Sequence, residues 1–222
     1  MPRPARSDAV ALFSRTPRTR AEVLAAADKA RARGRVKKAV AGYRKALESD
    51  PTDPSVNVKL GPLLAKLGER EGGAACFRTA AKRHLDQGFV DRAAAVNVAA
   101  TGVFPQDAGF RIELARLNVL RGCKLDAVAT LVDGARALAR AGRPDVAAAL
   151  LSRALDVEPW HLDAGLALVP IFAKSGREPD ARRLVQGLEA RTRGPALRRI
   201  RWVAFRTWPG LGTFWRWLRP RP

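Results

Sequence analysis

The sequence is short of the side chains that carry chemistry. It has two histidines and two cysteines in 222 residues, and none of the four has a Cys, His, Asp or Glu at metal-ligand spacing. His84 falls within a helical pattern over 74–87, and His161 follows Trp160 at a helix start, so both are read as surface or half-buried residues and no metal site is expected. Cys76, beside Phe77, reads as a small core residue, and Cys123 follows a turn glycine. Their wide separation points to a reduced setting rather than a disulfide framework. Phosphate-cradling glycine loops, dinucleotide fingerprints, zinc-protease pairs and serine-hydrolase elbows are all missing. No catalytic residue and no cofactor is therefore nominated, and the chain reads as non-enzymatic. A run of about 18 apolar residues is lacking too, so nothing is expected to span a bilayer. The opening "MPRPARSDAVALFSR" has charge but no apolar stretch, and no secretory signal is expected from it.

Acid is scarce at both ends. Residues 1–20 hold five Arg against Asp8, and residues 191–222 hold nine Arg and no acid at all, Glu189 being the last. Thirteen of the formal +20 charges thus lie outside the central segment, which favours an anionic partner for the ends rather than for the middle. Arginine outnumbers lysine 32 to 9 beside abundant alanine, so GC-rich coding accounts for part of this basicity.

What the chain does have is a period. "GRVKKAVAGYRKALESDP" from Gly34, "GFVDRAAAVNVAATGVFP" from Gly88 and "GRPDVAAALLSRALDVEP" from Gly142 start 54 residues apart. A second series, "LGPLLAKLGEREGGAACF", "LARLNVLRGCKLDAVATL" and "LALVPIFAKSGREPDARRL", aligns Gly68, Gly122 and Gly176 at the same interval. Segments of roughly 13–15 residues with apolar positions three and four apart read as amphipathic helices. A glycine after a helix accepts the left-handed conformation that ends it, and a proline soon afterwards stops propagation. Alanines at Ala39, Ala93 and Ala147, and at Ala46, Ala100 and Ala154, allow neighbouring axes to approach to about 8 Å. Each hairpin then needs the next one to cover its apolar face, which predicts an all-α, right-handed α-solenoid of about 10–11 antiparallel helices. Pro62 and Pro170, two periods apart and inside their helices, are expected to kink them and set curvature.

The residues Gly34, Ala39, Tyr43, Ala46, Leu47 and Pro51, with Leu60, Gly61, Gly68 and Phe77 after them, resemble the tetratricopeptide repeat over about 20–190. Ordinary arrays of that family repeat every 34 residues, whereas here the turn glycines step alternately by 34 and 20, as three helices per 54 residues require. The resemblance implies a groove that holds a partner peptide or helix. The corresponding first-helix positions are Val58, Pro62, Ile112, Arg116, Leu166 and Pro170. Only Arg116 among them suits an anion, so a clamp for a C-terminal carboxylate is not expected, and Val58, Ile112, Arg116 and Leu166 are taken as partner contacts for an amphipathic helix or internal segment.

The ends are assigned separately: 1–19 as a disordered basic lead, 191–208 as a capping helix and 209–222 as an Arg/Trp-rich tail. Leu197, Ile200, Val203, Ala204 and Thr207 share one side of a helix over 195–208, "PGLG" breaks it, and "TFWRWL" is too short to be helical alone. Arg198, Arg199, Arg201, Trp202, Arg206 and Trp208 are candidate contacts to an anionic surface. Trp215, Arg216, Trp217 and Arg219 extend that set. An anionic membrane suits Trp at the headgroup level beside Arg; the alternative is nucleic acid, gripped by arginine and stacked on aromatics. The expected location is a bacterial-type cytoplasm, peripheral at the inner membrane face.

Overall fold

In the computed structural model residues 19–218 are described, and they form helices joined by short turns. The lead 1–18 and residues 219–222, Arg219 with them, lie outside the described residues. In order come α1 (Arg20–Ala32), α2 (Val36–Leu47), α3 (Pro54–Lys66), α4 (Arg70–Asp86), α5 (Val90–Val103) and α6 (Ala108–Leu120). They are followed by α7 (Lys124–Arg140), α8 (Pro144–Val157), α9 (Leu162–Lys174), α10 (Glu178–Arg191), α11 (Gly194–Thr207) and α12 (Leu211–Leu218). The architecture is an all-α helical repeat in which every consecutive pair of helices packs together. The described helices number twelve, not the 10–11 expected. The extra one is α12, whose short sequence is stabilised by packing on α11 instead of by its own propensity.

The local chemistry behind these elements repeats with the sequence. Gly34, Gly68, Gly88, Gly122, Gly142 and Gly176 all have φ between +69° and +86°, which only glycine adopts without strain. At Gly34 the amide donates to the Arg31 carbonyl at 3.0 Å and the next amide, of Arg35, donates to Ala30 at 2.9 Å. This double bond pattern closes a helix end, and the same pattern recurs at Gly68, Gly88, Gly122 and Gly142. Two residues after each of the six glycines the next helix begins. Three further helix starts use side-chain caps at the same period: Asp53, Asp107 and His161, 54 residues apart, accept from backbone amides in the first turns of α3, α6 and α9.

Alanine does the close packing. Ala39, Ala93, Ala147, Ala100 and Ala154 are fully buried, and Ala46 nearly so. The α3–α4 pair is tighter still: a Cβ on Gly73 would stand 2.6 Å from the Gly61 carbonyl oxygen. α3 and α9 continue through Pro62 and Pro170 to Lys66 and Lys174. One continuous apolar core runs from α6 to α11, whereas separate clusters join α1 to α3 and α4 to α6.

A polar tie fixes the first three helices. Tyr43 is fully buried on α2, and its hydroxyl donates to Asp28 Oδ1 of α1 at 2.6 Å. Lys59 Nζ of α3 donates to both Asp28 oxygens at 3.0 Å. The tyrosine bond, reinforced by Lys59, holds the Asp28 carboxyl below its ordinary range. Burial, with that carboxylate beside it, pushes the Tyr43 hydroxyl up to about 12.

Beyond the consecutive contacts, helices also touch the next but one at α3–α5, α6–α8 and α9–α11. The third of these makes the candidate site.

Candidate partner-binding face

α9 and α11 lie side by side and parallel. Near their N-terminal ends Arg199 Nη2 donates to Asp163 Oδ1 at 2.7 Å. Further along, Leu166 and Pro170 of α9 face Trp202, Val203 and Arg206 of α11 across a pocket of ≈ 550 Å³, which Trp208 also lines. Leu166 is buried and belongs to the long apolar core. Trp208 packs against the same core and lies beneath the Arg182 guanidinium, 5.1 Å from its ring centre. Three charged groups rim the pocket: Lys174, Glu178 and Arg206. Glu178 is paired with Arg182 at 2.7 Å. Lys174 and Arg206 have no ionic or hydrogen-bonding partner among the described residues. An apolar floor with two unpaired cations at its edge suits a ligand that is both apolar and anionic.

The other groove positions named from sequence are not at this pocket. Val58 is half-buried against the α4–α6 cluster, and Ile112 is half-buried against the long core. Arg116 is exposed and carries its own counterion, donating to Glu113 at 2.5 and 3.0 Å. Leu166 alone of the four lines the pocket.

At the C-terminal end, α12 folds back antiparallel on α11. Trp202 and Trp217 have ring centres 5.2 Å apart, and Phe205 meets Phe214 at 5.8 Å and Trp217 at 6.3 Å. Arg201 Nη1 donates to the Arg216 carbonyl at 2.9 Å. Glu189 of α10 receives Arg216 at 2.6 Å and Arg201 at 3.5 Å. Three of the tail arginines thus have carboxylate partners, on Asp163 and Glu189. Arg198 is exposed with no such partner among the described residues. Trp215 is half exposed and meets Phe214 edge-on, ring centres 6.0 Å apart.

Sequence reading missed Trp160. It sits between α8 and α9 at φ +72°, a conformation that costs a bulky residue on the order of 1–3 kcal/mol. Its ring fills the space a side chain at Gly187 would take, and Arg191 lies 4.0 Å above it. A glycine inside α10 was the one available signal. Cys76 is half-buried, and burial raises its thiol pKa, which makes it a poor nucleophile. Among the described residues no three metal-ligating side chains come together, and no helix is long and apolar enough to cross a membrane.

Two stretches match family models, 27–68 as a TPR repeat and 138–201 as a tetratricopeptide repeat. The chain carries tetratricopeptide repeats. The second match contains α9 with Leu166 and Pro170, and the pocket residues contributed by α11, from Trp202 onward, lie beyond it. No curated protein sequence matches. Among solved structures, a MamA chain (MSR-1) is 18% identical, with 85% of this chain and 95% of that one covered at a TM-score of 0.36. A tetratricopeptide repeat protein from Parabacteroides merdae is 10% identical, with 85% of each chain covered at 0.30. The Cut9–Hcn1 structure is 14% identical, with 85% of this chain and 43% of that one covered at 0.29.

Proposed function

We propose that the tetratricopeptide array is a non-enzymatic scaffold that holds a segment of a protein partner in the pocket between α9 and α11. The observation that carries this reading is the pairing of Leu166, Pro170, Trp202 and Trp208 with the unpaired Lys174 and Arg206. The partner segment is acidic, with at least one large apolar side chain: the side chain fills the pocket and the carboxylates meet the two cations. Aromatic and arginine side chains in a partly desolvated pocket are the residues from which interfaces draw most of their energy.

A photo-cross-linking experiment on the full chain tests this. p-Benzoylphenylalanine is placed at Ala173, in the pocket wall, or at Ala129, on the exposed face of α7. Peptides cross-linked from Ala173 are expected to be acidic and apolar, absent from the Ala129 sample, and lost when Arg206→Glu is added. Identical peptides from both positions, or capture insensitive to Arg206→Glu, would refute the pocket assignment.

A further inference from the structure

Trp160 stands where nothing in the repeat calls for it. The same point of the two earlier periods holds Thr52 and Gln106, and neither has the positive φ of Trp160. The turn can therefore be made without strain. The residue that receives the ring departs from the period as well. Thr79 and Asp133 hold its place in the earlier repeats, whereas a Cβ on Gly187 would collide with the indole. Trp160 and Gly187 are thus a matched pair confined to the third period. Strain that packing upholds at an exposed residue points to a use for that residue. What is held is a flat ring that still meets solvent. Gly187 receives the edge of its six-membered ring, and the Arg191 guanidinium covers it at 4.0 Å. Arg191 is itself fixed by donating to the Gly187 carbonyl at 3.1 Å. Trp160 nevertheless stays 42% exposed, and its indole N–H has no acceptor among the described residues.

The charges beside the ring say what it meets. Arg191 leads into the α10–α11 turn with Arg193, and Arg198 follows in the second turn of α11. Arg199, the next residue, reaches Asp163, three residues from Trp160, so the α8–α9 and α10–α11 turns lie at one end of the array. Arg193 and Arg198 are exposed and without carboxylate partners among the described residues. Asp163 is taken by Arg199 and Arg136, and Glu189 by Arg201 and Arg216. Glu158 is left as the one carboxylate of the α8–α9 turn, against Arg191, Arg193 and Arg198. That excess of positive charge calls for an anion, and the ring calls for a flat partner. An acidic peptide satisfies the arginines without using the plane. A lipid surface would take the indole among apolar neighbours, but Trp160 is flanked by His161 and Arg191. Single-stranded nucleic acid supplies both, because its bases stack on tryptophan and arginine planes while its phosphates meet cations. We propose that Trp160, Arg191, Arg193 and Arg198 form a binding site for single-stranded nucleic acid. Lys174 of the α9–α11 pocket is about 20 Å away at the other end of α9, so the site does not depend on that pocket.

The test is fluorescence anisotropy of the full chain with a labelled short oligothymidylate and with an abasic strand of the same length, across a salt series. Both strands carry the same phosphates, so a preference for the thymidylate measures stacking. The wild-type chain is expected to prefer the thymidylate roughly tenfold. Trp160→Gly should erase that preference while keeping the affinity for the abasic strand. Glycine takes the left-handed turn freely, so the variant should retain the wild-type circular dichroism. Trp160→Asn, which also tolerates that backbone, serves as the second variant. Arg193→Gln/Arg198→Gln alters exposed positions only; it should weaken both strands severalfold and lower the salt slope by about 1.4. Lys37→Gln/Lys38→Gln, which removes the same charge from α2 in the first period, should leave both affinities within about twofold. Absence of binding at physiological salt, equal binding of the two strands, or a preference that survives both Trp160 variants would overturn the proposal. Polyglutamate bound as tightly as the thymidylate, and lost equally in Trp160→Gly, would overturn it in favour of an acidic protein segment.

Discussion

The α3–α4 pair and the α11–α12 pair are both antiparallel hairpins, yet they are closed by opposite kinds of residue. In α3–α4 two glycines let the backbones meet, and Phe77 fills the space beside them with its edge toward Phe104 and Phe110, ring centres 6.0 and 6.3 Å away. Leu60, Leu63 and Leu64 are buried around that contact. In α11–α12 the helices are held apart by stacked rings, and no residue of α12 is buried. The first joint tolerates no added atom. The second is padded and tied mainly by aromatic contacts and two arginines on one glutamate. Stability in this molecule therefore resides in the array, and the hairpin at its end is free to serve something outside it.

Substitutions sharpen the contrast. Phe77→Ala should cost about 3–5 kcal/mol in urea denaturation, because a side chain that is 1% exposed leaves a cavity among rigid neighbours. Tyr43→Phe should cost about 1.5–3 kcal/mol, the worth of a buried bond to a carboxylate. Its pH dependence is distinctive. The folded Tyr43 hydroxyl titrates at about 12, above the usual value near 10. Its contribution is complete below pH 10 and lost as pH rises toward 12. Asp28 behaves in the opposite sense: its lowered pKa stabilises the fold above the ordinary carboxylate range, and this is lost as pH falls through it. A denaturation series across the alkaline range should show a steeper decline for wild type than for Tyr43→Phe; parallel curves would contradict the tie. Gly73→Ala should cost about 1–3 kcal/mol, since the α3 and α4 backbones must separate to admit one methyl group. Trp217→Ala should have the smallest effect on the array, under about 1 kcal/mol. It should nonetheless abolish the near-ultraviolet signal of the ring cluster. A large global loss from Trp217→Ala would show that the hairpin supports the array after all.

Much of the fold was legible in the sequence because its punctuation is chemically unambiguous. A left-handed backbone leaves glycine as the strain-free choice, so the six turn glycines announced themselves, and Asp53 and Asp107 are ordinary capping residues ahead of a helix. The alanines read as close contacts because nothing larger fits between axes so near. The tail was harder. That "TFWRWL" is helical depends on Phe205 and Trp202 being there to receive it, and that Arg201 and Arg216 share Glu189 depends on how α10, α11 and α12 come together. The pocket was half visible: Leu166 was nominated as a groove contact and Trp202, Arg206 and Trp208 as tail contacts, but Lys174 was not, and the two sets met only once α11 lay parallel to α9. Trp160 in its left-handed conformation had no signature, since the strain is imposed by packing against Gly187.

Helices begin at 36, 90 and 144, at 54, 108 and 162, and at 70, 124 and 178, so three helices separate each from its counterpart. Three is odd, and in a chain that reverses at every turn an odd step inverts the counterpart's polarity. α3 and α9 point one way and α6 the other. The side-by-side pairs α3–α5, α6–α8 and α9–α11 accordingly emerge on alternating flanks, and a ligand bound along one flank would meet every second crevice, spaced twice as far apart as the sequence period suggests.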